Sequence, residues 1–257
     1  MAVRGCFVTG TDTGAGKTIL AAALCAAIRA TGARAAAYKP VVTGVAEPPG
    51  TREAAAPGAH EAAAPGTGDA GPAGVAAGAW PADHELLASV TGARPRDVCA
   101  RTFAPAVSPH LAAELAGVAL SLDELVAAAA HAAAGADALV VEGVGGLLVP
   151  LSEEHDVRDL AVALGLPVVV AARPGLGTIN HSLLTIEAAR SAGLDVRAVV
   201  LTPWPEQPTV MQRSNRDTIA RRGAVDVATL AAVDTIEDLA SAGAALPWAA
   251  WLGGVPS

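Results

Sequence analysis

Gly10-Thr-Asp-Thr-Gly-Ala-Gly-Lys-Thr18 separates a short hydrophobic run, Gly5 to Thr9, from an alanine-rich run of helix formers, Lys17 to Ala30, that stops at Gly32. The first run reads as a strand and the second as a helix, so the stretch between them reads as a strand-to-helix phosphate-binding loop. Backbone N–H groups of a glycine-rich turn and of a helix start make a concave site for anionic oxygens. Asp12, Thr13, Gly14, Ala15 and Gly16 form the expected nucleotide cradle. Lys17 reaches the terminal phosphates, and the Thr18 hydroxyl suits a magnesium ion. The loop is a variant of G-x-x-x-x-G-K-[ST], since Thr11 stands where the first glycine is usual and the glycine lies one earlier, at Gly10. An ordinary turn holding glycines and a lysine by coincidence is the competing reading, and the flanking strand and helix count against it.

Outward from the loop, Ala35 to Tyr38 reads as a second strand, closed by Lys39-Pro40, because Pro40 biases Lys39 away from helical dihedrals. Lys39 and Thr43 thereby fall near the C-terminal edge of the sheet, where open α/β folds bind ligands. A solvated strand-end lysine is the plain alternative. Residues 46–78, rich in Ala, Gly and Pro, read as a flexible insertion. Order resumes at Trp80, with Asp83 in the first turn of a short helix as a capping carboxylate, or as an oxygen ligand to magnesium if that helix end faces the loop.

Arg101 onward reads as an extended segment leading into a helix over Leu111 to Leu115, with His110 capping or packing. Ser121 and Asp123 open another helix. Ala138-Leu-Val-Val-Glu142-Gly-Val-Gly-Gly146 reads as a buried parallel strand that delivers an acid and then glycines. Glu142 is the acid expected to face magnesium across from Thr18, and Gly143, Val144 and Gly145 bring backbone close to the phosphates. A strand-end acid that merely meets solvent is the alternative. Leu166 to Ala172, Val196 to Leu201 and Val225 to Leu230 read as further strands, with helices from about Thr178 to Ala192 and near Thr209 to Arg221. The alternation implies an α/β fold: a mostly parallel central sheet with helices on both faces, of the phosphate-loop NTPase type.

Composition agrees. The 257 residues suit one α/β domain, 1–233, with 234–257 as a C-terminal tail. Alanine inflates the hydrophobic share, since only 3% of residues are aromatic, so Val, Leu, Ile and Ala must build the core. A net charge of −8 leaves no basic footprint for nucleic acid or an anionic membrane. Small-molecule partners are therefore expected, and with no signal-peptide pattern or membrane-length apolar run, a cytoplasmic location. Cys6, Cys25 and Cys99 lack metal-ligand or disulfide spacing, and Cys6 and Cys25, in a predicted strand and helix, read as core residues.

With Gly10-Thr-Asp-Thr-x-x-Gly-Lys-Thr18, Tyr38-Lys-Pro-Val, Val141-Glu-Gly-x-Gly-Gly146 and Leu176-Gly-Thr-Ile-Asn-His181 in order, the sequence resembles the dethiobiotin synthetases. Thr102-Phe-Ala-Pro and Ser108-Pro-His110 also look like that family. The resemblance implies ATP- and magnesium-dependent ring closure of 7,8-diaminononanoate with carbon dioxide, giving dethiobiotin, ADP and phosphate through a carbamate and a carbamic-phosphoric anhydride. It implies that Lys17, Lys39 and Thr11 serve catalysis and that Thr11, Lys39 and Thr43 contact the reacting end of the substrate. Thr18, Asp83 and Glu142 look like the magnesium ligands. The working form implied is a homodimer, with Leu176, Gly177, Thr178 and Asn180 holding the substrate carboxylate across the interface. Thr202 stands where the family usually has Asn, and Ala231 where it has Pro. The resemblance implies that Thr202, Pro203 and Ala231 border the nucleotide base, so base selectivity is left open between ATP and other nucleoside triphosphates. A partition-type or regulatory ATPase is the runner-up, although such proteins carry an early loop lysine where Thr11 and Asp12 stand here. A catalytically idle nucleotide-binding module is the third reading, opposed by the presence of Lys17, Lys39 and Glu142 together.

Overall fold

The computed structural model describes residues 4–45 and 80–254, so the expected insertion over 46–78 lies outside the described residues. In chain order the strands are β1 (Arg4–Gly10), β2 (Ala35–Tyr38), β3 (Val42–Thr43), β4 (Thr102–Phe103), β5 (Ala138–Gly146), β6 (Val168–Ala172), β7 (Val196–Trp204), β8 (Asp226–Ala231) and β9 (Gly253–Gly254). The helices are α1 (Lys17–Ala30), α2 (Asp83–Thr91), α3 (Pro95–Val98), α4 (Pro109–Leu115), α5 (Leu122–Ala132), α6 (Val157–Leu164), α7 (Thr178–Ser191), α8 (Val210–Gly223), α9 (Leu239–Ala244) and α10 (Trp248–Trp251).

Six parallel strands run in the order β2-β5-β1-β6-β7-β8, and β9 adds to the start of β1 antiparallel. A strand covered on both faces has no polar side to present, which is why Val140, Val141, Val168, Val169 and Val170 run without polar alternation and are fully buried. β1 shows the two-sided packing residue by residue. Cys6 and Val8 point into the core under α1, α2 and α9, while Phe7 points into the core on the opposite face with α5, α6 and α7. β3 and β4 form a separate parallel pair beside the site.

β1 lies between β5 and β6, so chain leaving the C-terminal ends of β1, β2, β5 and β6 converges on one edge of the sheet. This is the crevice where doubly wound sheets take ligands. The boundaries of β2 and α1 agree with the sequence reading, whereas β5 and β7 run on to Gly146 and Trp204. β5 does so because Gly146 pairs with Gly10 across a register shift, where Gly145 takes a left-handed φ of +60°. α6 was absent from that reading. Its start is marked by a capping box in which Asp156 accepts from the Asp159 N–H at 3.0 Å and Asp159 accepts from the Asp156 N–H at 2.8 Å.

The segment after Val233 packs on the first helix. Leu239 is fully buried, Trp251 nearly so, and a side chain on Gly243 would begin 2.0 Å from the Ala23 carbonyl oxygen. Only a residue without Cβ allows α9 that close to α1. All three cysteines are free and buried, and burial raises each thiol above its ordinary value. Among the described residues no helix is long and apolar enough to cross a membrane.

Candidate active site

The phosphate loop leaves β1 at Gly10, is tied to the next strand by the Thr11 N–H donating to Ala171 O at 3.0 Å, and enters α1 through Gly16. No side chain caps α1 and no acid lies in its first turn. Its unpaired N–H groups and positive dipole end are thus left for an anion. Lys17 is buried and donates to Asp12 O at 2.9 Å. Burial, with the neighbouring Lys39 charge, pulls its ammonium down to about 8.

Beside the loop sits a charged cluster built from three elements. Lys39, brought in by the end of β2, donates to Glu142 Oε1 at 2.5 Å and to Gly143 O at 3.1 Å, and lies 3.0 Å from Asp83 Oδ2. Thr18, on the first turn of α1, donates to the same Glu142 Oε1 at 2.9 Å. Lys39 is only 3% exposed, which excludes the solvated strand-end alternative, and Glu142 is fully buried. Burial lowers the Lys39 pKa, but Asp83 and Glu142 outweigh it and hold the ammonium above the ordinary lysine value. For Asp83 burial is likewise outweighed, by Lys39, and its carboxyl lies below the usual range. For Glu142 burial wins, and the carboxyl is pushed up. Asp83 is no cap: Ala82 holds that position, and Glu85 accepts its N–H at 3.0 Å.

Glu142 Oε2 is buried with no hydrogen-bond partner among the described residues. A buried, unpaired carboxylate oxygen costs free energy until a donor or cation meets it. Two carboxylates and a hydroxyl are a hard oxygen set, suited to a magnesium ion that keeps waters and phosphate oxygens as its other ligands. The described residues hold no group of three or more His, Cys, Asp or Glu side chains that could form an all-protein metal cage.

These residues line a cleft of about 470 Å³, shared with Thr13, Gly14, Gly16, Thr43, Val144 and Gly145 and walled by the 106–109 turn. Lys17, Thr18, Lys39, Thr43, Asp83 and Glu142 are thus brought together, as the sequence anticipates. Thr11, Asp12, Ala15 and Gly143 lie outside the lining. So do Thr202, Pro203 and Ala231. Thr202 falls within β7 rather than after it, and its methyl sits 2.5 Å from where a Gly16 side chain would begin. Leu176, Gly177, Thr178 and Asn180 form a second locus at the start of α7. Leu176 is 92% exposed, whereas the Thr178 hydroxyl is buried without a hydrogen-bond partner among the described residues. This helix start also lacks a side-chain cap and first-turn acids. Sequence reasoning passed over the 106–109 wall, for which only the Ser108-Pro-His110 motif was a signal.

A family model described as an AAA domain matches residues 4–242. An ATP-dependent dethiobiotin synthetase BioD of Anaeromyxobacter sp. (strain Fw109-5) is 41% identical over 92% of this chain and 93% of its own. Another so named, from Ralstonia nicotianae (strain ATCC BAA-1114 / GMI1000), is 37% identical over 88% of this chain and 97% of its own. Among solved structures, a ParA family ATPase from Chlorobium tepidum TLS aligns with a TM-score of 0.48 at 13% identity, over 96% of this chain and 93% of that one. With a relative so similar along nearly the whole length of both chains, this chain belongs to the ATP-dependent dethiobiotin synthetase family.

Proposed function

We propose that this chain closes 7,8-diaminononanoate with carbon dioxide to dethiobiotin, using ATP and Mg2+ and releasing ADP and phosphate, as a cytoplasmic homodimer. The observation that carries the reading is the buried Lys39 ammonium, held between Glu142 and Asp83 beside the phosphate loop. Such a fixed charge is of little use for holding a solvated anion. It suits oxygens on which negative charge develops during reaction.

One substrate amine adds to carbon dioxide, losing a proton, to give a carbamate. A carbamate oxygen then takes the γ-phosphoryl group from ATP. The second amine attacks the carbonyl carbon, closing the ring and expelling phosphate. In this scheme Lys17 binds the β- and γ-phosphates, leaving Asp12 O for them. Lys39 stabilises the carbamate and the transferring group, while Thr11 and Thr43 orient the reacting end of the diamine. Catalysis is then mostly positioning and charge stabilisation. Thr18, Asp83 and Glu142 hold Mg2+, which when bound neutralises charge on the phosphate oxygens. The unpaired Glu142 Oε2 supports that assignment.

The start of α7 receives the substrate carboxylate through Leu176, Gly177, Thr178 and Asn180, supported by its uncapped N–H groups and the unpaired Thr178 hydroxyl. Leu176, Leu184, Val210 and Met211 are large apolar side chains left exposed on the α7 and α8 segments, as a surface awaiting a second copy would be. Residues 1–233 act as one catalytic domain, with the segment after Val233 bracing its first helix.

Labelled bicarbonate should enter acid-stable product one-for-one with phosphate when diamine, Mg2+ and ATP are present. Running CTP in parallel reads what Thr202 and Ala231 do to base selectivity. Phosphate release without diamine would replace this reading with a switch ATPase, and silence in both assays would leave an idle binding module.

A further inference from the structure

Arg173 and Asn215 lie outside the cleft lining and have no part in the scheme above. Arg173 follows the last residue of β6 and reaches the phosphate loop, where its Nε donates to Gly14 O at 2.8 Å. Gly14 has φ +69°, a left-handed conformation that favours glycine, and a side chain there would begin 2.4 Å from Arg173 Nη2, so the guanidinium would have to shift to admit one. In a planar trans peptide the C=O and N–H point in opposite directions. A Gly14 carbonyl gripped by Arg173 therefore turns the Ala15 N–H away from the guanidinium.

The same stretch of chain is tied at further points. Ala171 O accepts from the Thr11 N–H at 3.0 Å. Asn215, buried on α8, donates through Nδ2 to Pro174 O at 3.2 Å and to Gly175 O at 3.1 Å. The Thr178 N–H then returns to Gly175 O at 3.3 Å, opening α7. Residues 171–178 thus form a strap bonded to the phosphate loop at one end and to α8 at the other.

We infer that Arg173 and Asn215 are positioning residues for the reaction: Arg173 sets the Gly14–Ala15 peptide of the nucleotide cradle, and the two together fix the start of α7 relative to it. The second half of this inference rests on the reading that the start of α7 takes the substrate carboxylate. The two residues divide the work, since only Arg173 touches the phosphate loop. In the full-length enzyme, Arg173→Ala raises KM for both ATP and the diamine by about threefold to tenfold, the range a single charged-donor hydrogen bond at an exposed site supports. Asn215→Ala raises KM for the diamine alone. Both leave kcat nearly unchanged, and millimolar guanidinium added to Arg173→Ala lowers the ATP KM back toward the parent value.

Unchanged KM values in a folded Arg173→Ala protein would overturn the inference. So would an equal rise of the ATP KM in Asn215→Ala, or a general loss with lowered Tm and no guanidinium rescue. Asn180→Ala tests the carboxylate reading separately. If its diamine KM stays unchanged, that reading fails, and the role of Arg173 then stands or falls on the ATP KM and its rescue.

Discussion

The phosphate end of the site and the start of α7 are built on opposite plans. At the phosphate end Lys39 and Glu142 are buried and hydrogen bonds of 2.5 to 3.1 Å converge on them, with Glu142 Oε2 alone of these atoms left without a partner among the described residues. At the start of α7 Leu176 projects almost wholly into solvent, and Asn180 is exposed. The lesson is a division of labour. Charge stabilisation needs groups fixed before the substrate arrives, in a medium of low dielectric, and burial provides this. Recognition of the far end of a flexible diamine needs only donors at a helix start and something to cover them.

Breaking the buried half should have the largest effect. Lys39→Ala is expected to lower turnover about 1,000-fold while ADP still binds, measured by product formation and by calorimetric titration. The variant leaves Glu142 buried without its cation, so a lower melting temperature should accompany the loss. Normal activity would remove the mechanistic assignment of Lys39. Glu142→Gln should cost on the order of 100-fold in kcat and raise the Mg2+ concentration needed for half-maximal rate. An unshifted Mg2+ dependence would argue against Glu142 as a ligand.

The exposed half should respond differently. Leu176→Asp is expected to raise KM for the diamine about tenfold, leave KM for ATP nearly unchanged, and shift sedimentation from dimer toward monomer. A monomeric parent enzyme, or equal changes in both KM values, would erase the contrast between the two ends. Gly243→Ala should matter least to turnover at room temperature. By forcing α9 off the Ala23 carbonyl it should cost roughly 2 to 3 kcal/mol of stability, read in a urea titration, with full activity in whatever remains folded.

Much of the buried half was legible in the chain. A phosphate loop needs a strand before it and a helix after it, and both are written in local hydrophobic pattern around Gly10 to Thr18. Glu142 ends an apolar run long enough to be a covered strand, and that local fact already places an acid at the sheet edge. The pairing of Lys39 with Glu142 and Asp83 was not legible, because they lie far apart in sequence and nothing near any of them records the distance. The plain readings of Lys39 as a solvated end and Asp83 as a cap are what local rules return when the partner is unseen. The extension of β5 through its glycines depended on pairing with Gly10 and was equally invisible locally.

By itself, then, the sequence determined the alternating α/β order, the loop chemistry and, by resemblance, the family and its motifs. Tertiary structure alone decided that Lys39 is buried between two carboxylates, that Asp83 turns from helix cap to ion-pair partner, and that the segment after Val233 closes over α1. It also decided that Arg173 bonds the segment before α7 to the phosphate loop and that Asn215 bonds it to α8. The physical reason is common to all of these: periodicity and capping act over a few residues, whereas burial and ion pairing are properties of surfaces that meet only once the sheet order brings their strands together.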